Sequence, residues 1–137
     1  MTDSLTIPGY RIESQVGRGG MATVYRAIQE SLDRPVALKV MAPALAADGD
    51  FTERFLKEAR TAAQLTHPHI LAVHDIGVSG HHHYIAMEYV GGGDLKERIR
   101  TGLEPEAALR VVREIAQALG FAHERGFVHR DVKPENI

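Results

Sequence analysis

Three consecutive glycines, Gly91-Gly92-Gly93, constrain this chain more than any other stretch. A run of glycines has no side chains to pack and the greatest backbone freedom, so it reads as a connector. It separates two parts with different hydrophobic periods. Before it, apolar residues fall in short strand-like runs broken by one helical stretch; after it, they recur every three or four residues. The chain therefore reads as α+β, with a β-rich part over residues 1–90 and a helical part over residues 91–137.

The β-rich part begins with a predicted strand from Tyr10 to Val16, with Tyr10, Ile12 and Ser14 on one side and Arg11 and Glu13 on the other. Gly17-Arg18-Gly19-Gly20-Met21-Ala22-Thr23-Val24 follows, and Tyr25, Ala27 and Ile28 carry an antiparallel return strand. Glycine is required where backbone approaches a ligand closely or takes positive φ. Such a hairpin suits amide N–H groups laid over phosphates, although a plain Gly-rich turn explains the same residues. A dinucleotide site would need a helix directly after the turn, and a strand stands there instead.

Pro35-Val36-Ala37-Leu38-Lys39-Val40 is a third predicted strand, after a turn at Ser31–Arg34. Lys39 interrupts its apolar run. A buried lysine needs a partner, so Lys39 either has one or reaches solvent from an edge. A helix is predicted from about Phe51 to Leu65, with Asp50 as N-cap and Glu53 completing a capping box. Its apolar stripe runs through Phe51, Phe55, Leu56, Ala59, Ala62 and Ala63. Glu58 lies on the edge of that stripe, where it either faces the sheet or is solvated beside Lys57 and Arg60. His67-Pro68-His69 ends the helix, and strands over Ile70–Ile76 and His83–Glu88 complete a five-stranded antiparallel sheet carrying one helix. His81-His82-His83 reads as a polar hairpin turn in preference to a metal site, because neighbours along a strand point to opposite faces.

Beyond the glycines, Asp94 is expected to cap a short helix reaching about Arg100. Pro105 is well placed to open a longer helix, with Gly126 as its stop after Arg125. Ala108, Leu109, Val112, Ile115, Ala116, Leu119 and Ala122 are its apolar positions, flanked by Val111 and Phe121. So wide an apolar surface suits a helix with neighbours on more than one side.

The chemistry concentrates in His129-Arg130-Asp131-Val132-Lys133-Pro134-Glu135-Asn136. Asp131 is able to accept a proton from a hydroxyl, and Lys133 to neutralise a phosphate in transit. Pro134 favours an ordered loop, and Asn136 offers a neutral oxygen to a hard metal ion. The spacing H-R-D-x-x-x-x-N resembles the catalytic loop of protein kinases. With the Gly-rich hairpin, the run Val36-Ala37-Leu38-Lys39, Glu58 and the glycine connector in order, the chain from about Tyr10 to Ile137 resembles the N-terminal half of a bacterial, eukaryotic-like Ser/Thr protein kinase domain.

That resemblance implies a kinase-like fold, residues 1–90 being the small lobe and 91–137 the connector and the start of the large lobe. It implies ATP and Mg2+ as cofactors and a protein with a Ser/Thr acceptor as partner. Gly17, Arg18, Gly19, Gly20, Met21 and Ala22 would cover the phosphates, and Val24 and Ala37 would wall the adenine. Lys39, held by Glu58, would grip the α- and β-phosphates. Met87 would close the back of the pocket, the Glu88 carbonyl and Val90 amide would meet the adenine edge, and Asp94 would reach the ribose. A simple interdomain linker accounts for that last stretch as well. Asp131 would be the catalytic base, Lys133 would offset γ-phosphate charge and favour Ser/Thr acceptors, and Asn136 would bind a metal. His129 and Arg130 would support the loop.

The chain departs from the family pattern in two places. Ala22 stands where a third glycine is usual, and no Asp-Phe-Gly occurs. The resemblance therefore implies an incomplete domain, with the 137-residue chain inactive or nearly so alone. The other expectation is a non-catalytic nucleotide-binding or regulatory piece that dimerises or docks on another kinase through its exposed helix. A small-molecule phosphotransferase is disfavoured by Lys133-Pro134 and by the Gly-Gly-Met-Ala turn.

Composition narrows the rest. A net charge of −2 gives no electrostatic case for nucleic acid. There is no cysteine, which fits a reducing cytoplasm. Residues 1–10 lack the basic and apolar regions of a secretory signal, and no run approaches the roughly 18 apolar residues of a membrane span.

Overall fold

The central strand of the sheet carries the lysine. In a computed structural model describing residues 5–137, the strands β1 (Tyr10–Arg18), β2 (Ala22–Gln29), β3 (Arg34–Met41), β4 (Val73–Ser79) and β5 (His82–Glu88) pair in the order β1-β2-β3-β5-β4, antiparallel throughout. The first four residues of the stretch read for a signal lie outside the described residues. Lys39 is thus on an interior strand and not at an edge. Two helices accompany the sheet, α1 (Pro43–Ala46) and α2 (Gly49–Ala63). The other helical elements are α3 (Leu95–Thr101), α4 (Pro105–Glu124) and a 3₁₀ turn at Pro134–Asn136. The chain divides into two units: one ends at Gln64 and resumes over Ala72–Tyr89, and the other comprises Leu65–Leu71 and Val90–Ile137.

In the first unit, strand alternation sorts side chains onto two faces. Val36, Leu38 and Val40 of β3 join Ala27 of β2 and Ala86 of β5 in the core, together with Ile7 and Tyr10. Leu5, Ile12, Tyr25 and Tyr84 pack against them. If the sheet were flat, its edge strands β1 and β4 would lie roughly 19 Å apart, four steps of about 4.8 Å. Yet the Tyr10 hydroxyl donates to Asp75 Oδ2 over 3.1 Å, joining those two edges. The sheet must therefore curl strongly around its core face. A bulge at Glu13, between the pairs Ile12–Ala27 and Ser14–Arg26, adds bend to β1. It also breaks the simple alternation read from the sequence, and Ser14 is exposed.

Burial pushes the Tyr10 phenol up to about 12, and the Asp75 carboxylate adds to the shift. The Tyr84 ring meets Tyr10 edge to face, with centroids 5.5 Å apart. It also lies over Gly77, where a Cβ would sit 2.4 Å from its hydroxyl oxygen. That close approach is why β4 carries a glycine there.

α2 starts two residues before the predicted position. Its N-cap is Asp48 and not Asp50, because the Asp48 carboxylate accepts from both Asp50 N–H (3.1 Å) and Phe51 N–H (3.2 Å). Asp50 then falls in the first turn, where the helix dipole favours an acid. The helix also stops at Ala63, short of Leu65, and β4 begins at Val73, three residues later than predicted. The residues between form a turn in which His67 Nδ1 accepts the His69 amide (3.1 Å) and His67 O accepts the Ile70 amide (3.2 Å). At the β4–β5 turn, Gly80 takes φ +59°, and β5 already includes His82.

In the second unit, Asp94 caps α3 and Pro105 opens α4, as their sequence signals predicted. Ala118 and Ala122 are buried on α4, Leu65 is buried, and the His67 ring packs 5.0 Å from that of Phe121. Leu109 and Val112, one turn apart on α4, are 72% and 63% exposed, so the broad apolar surface is only partly covered by this chain. No helix among the described residues is long and apolar enough to cross a membrane.

Candidate active site

Sheet register brings one group of the predicted residues together. Val24 pairs with Lys39, Ala37 with Met87, and Lys39 with Ile85. Directly paired residues share a face. Val24, Ala37, Lys39 and Met87 therefore share the face opposite Leu38 and Val36, and each is half-buried. Gly17 pairs with Val24, so the Gly-rich turn rises from this part of the sheet.

The turn itself is narrow. The Gly19 amide donates to Ala22 O over 2.9 Å, and the Ala42 amide to Met21 O over 2.9 Å. Gly17, Gly19 and Gly20 all avoid positive φ, so conformational strain does not require glycine there. An added Cβ would meet no atom closer than 3.7 Å at Gly19 and nothing within 4 Å at Gly20. These glycines keep the outer side of the turn free of side chains, which is what close approach by a phosphate demands, although the Gly19 amide itself is committed to Ala22 O. Met21 at the tip is 63% exposed.

Lys39 and Glu58 are not brought together. Among the described residues no ion pair within 4.0 Å involves either, and Glu58 is exposed on α2. Glu88 is fixed at its amide, which donates to Ala72 O over 2.9 Å, and at its side chain, where Oε2 accepts the Ala72 amide at 3.3 Å.

The second group lies in the second unit and converges tightly. Asp131 Oδ2 is 3.5 Å from Lys133 Nζ and 3.4 Å from Asn136 Nδ2, and that same nitrogen donates to Asp131 O over 2.9 Å. Pro134 opens the 3₁₀ turn that swings Asn136 back toward Asp131. The Asp131 amide donates to His129 Nδ1 over 3.1 Å, which gives the histidine a structural task. Arg130 takes φ +68°, a conformation that costs a non-glycine residue energy and is held here by the loop. The Asp131 and Lys133 side chains stay 66% and 49% exposed, open to a substrate.

α3 braces this loop. Lys96 Nζ sits 3.3 Å from Glu135 Oε1, and the Leu95 amide donates to Ile137 O over 2.7 Å. A backbone hydrogen bond at Glu135 itself, and then Lys96, hold the Glu135 carboxyl below its usual range. Asp94 Oδ1 accepts the Glu97 amide over 2.9 Å, so the residue predicted to reach a ribose also caps α3. Gly93 needs its glycine: φ is +87°, and a Cβ would stand 2.7 Å from Glu97 Oε2. Val90 is exposed.

For a metal, Asn136 offers one suitable donor. With Nδ2 of Asn136 committed to Asp131, its carbonyl oxygen is the ligand left over, which fits one position around a hard cation. No cluster of three His, Cys, Asp or Glu able to hold a metal occurs among the described residues.

Sequence reasoning missed Arg26. It pairs with Ala37, so it stands on the same face as Val24 and Lys39. Its place two residues after Val24 on a strand was a sufficient signal.

Comparison with known proteins places the chain in a family. The family model described as the protein kinase domain matches residues 10–137. The chain is 47% identical over 130 residues to the serine/threonine-protein kinase PknJ of Mycobacterium tuberculosis, covering 94% of this chain and 22% of that protein. It is 44% identical over 130 residues to PrkC of Bacillus subtilis, covering 93% of this chain and 20% of the relative. The crystal structure of the M. tuberculosis PknI kinase domain superposes with a TM-score of 0.82 at 39% identity, over 99% of this chain and 56% of that one. The chain thus spans between a fifth and a third of the curated relatives it matches and just over half of that solved kinase domain. It belongs to the protein kinase family.

Proposed function

We propose that this chain carries the nucleotide-holding and hydroxyl-activating residues of a protein kinase that transfers the γ-phosphate of ATP to Ser or Thr hydroxyls of cytoplasmic proteins. The observation that carries the reading is the convergence of Asp131, Lys133 and Asn136 on one exposed carboxylate. A carboxylate is the group able to orient a hydroxyl and take its proton, and the neighbouring ammonium offsets phosphate charge.

The roles divide between the units. In the first, Val24 and Ala37 supply an apolar wall for adenine beside Met87, and Lys39 supplies positive charge for the phosphates. The turn at Gly19 and Gly20 carries no side chain, so a phosphate is able to approach its backbone, with the Gly20 amide as a donor. Glu58 pairs with Lys39 when α2 brings it to the sheet. In the second, Asp131 orients the acceptor, Lys133 neutralises, and Asn136 contributes one ligand to Mg2+. Such a cation, when bound, shields the phosphate oxygens from one another. Asp94 serves the ribose with whatever hydrogen-bonding capacity its cap leaves, and the Glu88 carbonyl and Val90 amide serve the adenine edge.

The 137 residues alone transfer phosphate feebly or not at all. Phosphoryl transfer is mostly positioning and charge neutralisation. With no Asp-Phe-Gly, this sequence supplies Asn136 but no second metal-binding acid of that motif.

Thermal unfolding of the purified chain with and without Mg-ATP tests the reading. A ligand that binds only the folded form raises the midpoint. A concentration-dependent rise, lost in Lys39→Met, is expected. A flat response would remove the nucleotide site from this chain, and robust phosphorylation by the 137 residues alone would refute the predicted inactivity.

A further inference from the structure

Arg26 is a long cation beside the proposed adenine wall and has no task in the proposed function. On β2 it follows Val24 by two residues, and it pairs directly with Ala37. Two partners hold its guanidinium. Nη1 donates to Glu13 Oε2, and Cζ lies 5.2 Å from the centroid of the Tyr89 ring. Both contacts depend on local irregularities. Glu13 is the extra residue of the β1 bulge, and Tyr89 immediately follows the end of β5. The two partners therefore belong to the strand that enters the Gly-rich turn and to the segment that leaves the adenine edge. The Glu13 carboxylate neutralises the guanidinium, so this arginine is poorly suited to gripping a phosphate. A planar cation hydrogen-bonded through one nitrogen and laid over a ring suits a fixed strut.

Resting on the nucleotide reading, we propose that Arg26 is a positioning residue for the base end of the nucleotide. Its guanidinium ties β1 to the chain at Tyr89 and so sets the gap between the Val24–Ala37 wall and the Glu88 segment. The consequence is specific. Loss of the strut loosens binding of every ligand that carries the base and leaves a bare phosphate chain unaffected.

Calorimetric titration of the 137-residue chain with Mg-ATP, Mg-ADP and inorganic tripolyphosphate tests this. Arg26→Met and Tyr89→Leu are each expected to weaken ATP and ADP by about five- to tenfold, with the double variant no weaker than the poorer single. Tripolyphosphate affinity should hold in all of them. Arg26→Lys keeps a charge for Glu13 but offers no planar face to Tyr89, so it should fall between wild type and Arg26→Met. Should Arg26→Met fail to fold, Arg26→Lys and Tyr89→Leu still decide. Unchanged ATP affinity, additive losses, or tripolyphosphate weakening in step would each overturn the strut. If the unaltered chain binds no ATP, the nucleotide reading falls and takes this role with it; normal ATP binding in the variants overturns the role of Arg26 alone.

Discussion

Gly77→Ala isolates a single contact. The new Cβ would lie 2.4 Å from Tyr84 Oη and 2.5 Å from Cζ, far inside van der Waals distance. Gly77 is outside the left-handed region, so an alanine suffers no backbone strain there and the whole penalty falls on Tyr84. That ring must tilt away, weakening its edge-to-face contact with Tyr10. Overpacking of this kind costs about 1–3 kcal/mol, with the lost aromatic contact as part of it. Against it stands about 0.4–1 kcal/mol from the stiffer unfolded chain. The net expectation is destabilisation by about 1–2 kcal/mol. In a Tyr84→Ala background the obstacle is gone, and the same change should be neutral or slightly stabilising. Urea unfolding followed by circular dichroism measures all four proteins, with constant m-values as the check on the two-state assumption. Equal destabilisation by Gly77→Ala in both backgrounds would refute the reasoning, since the cost would then not come from Tyr84.

Other expectations follow from the same geometry. Asp48→Ala should cost about 1 kcal/mol in urea unfolding and Asp50→Ala only a few tenths, because Asp48 is the residue whose carboxylate holds the α2 amides. Tyr10 has its phenol raised from 10.0 to about 12, so the fold favours the neutral form. Its contribution is complete below pH 10.0 and is lost as pH rises toward about 12, and the urea midpoint of Tyr10→Phe should fall less steeply over that window than the parent's. Leu38→Ala, at a fully buried site, should cost about 2–5 kcal/mol, whereas Lys39→Met should leave unfolding largely unchanged and abolish the shift given by Mg-ATP.

The five strands, their antiparallel sheet and both later helices were legible because each element had a period and a terminator, whereas the order β1-β2-β3-β5-β4 was not. Asp94 and Pro105 began α3 and α4 where their capping chemistry placed them. The start of α2 was misread because Asp50 and Glu53 have the spacing of a capping box, which Asp48 lacks. What decides for Asp48 is that its carboxylate reaches two amides. The late start of β4 was hidden because the His67 imidazole, a side chain, organises the preceding turn. In the loop His129–Asn136 the residue types and spacing singled out Asp131, Lys133 and Asn136, which lie within six positions of one another, and the structure adds that they meet. The long-range features were not legible. Neither the curl that joins Tyr10 to Asp75 nor the Arg26–Glu13–Tyr89 arrangement has a local sequence signature, because each depends on which strands become neighbours and on where β1 bulges.

The core of the first unit also protects its chemistry. Lys39 and Leu38 are adjacent on β3, one on the face of the proposed nucleotide residues and the other fully buried behind it. A slip of one residue in β3 would exchange their faces. It would bury an ammonium beside Ala27 and Ala86, with no carboxylate within ion-pair distance of Lys39 among the described residues, and it would turn Val36, Leu38 and Val40 out of the core. The first change costs several kcal/mol and the second about 2 for each side chain exposed, together a large fraction of the stability of a small domain. The register that keeps Val24, Ala37 and Lys39 on one surface is therefore enforced by residues that touch no substrate. Substitutions on the core face should thus alter stability before they alter nucleotide affinity, and those on the opposite face should do the reverse.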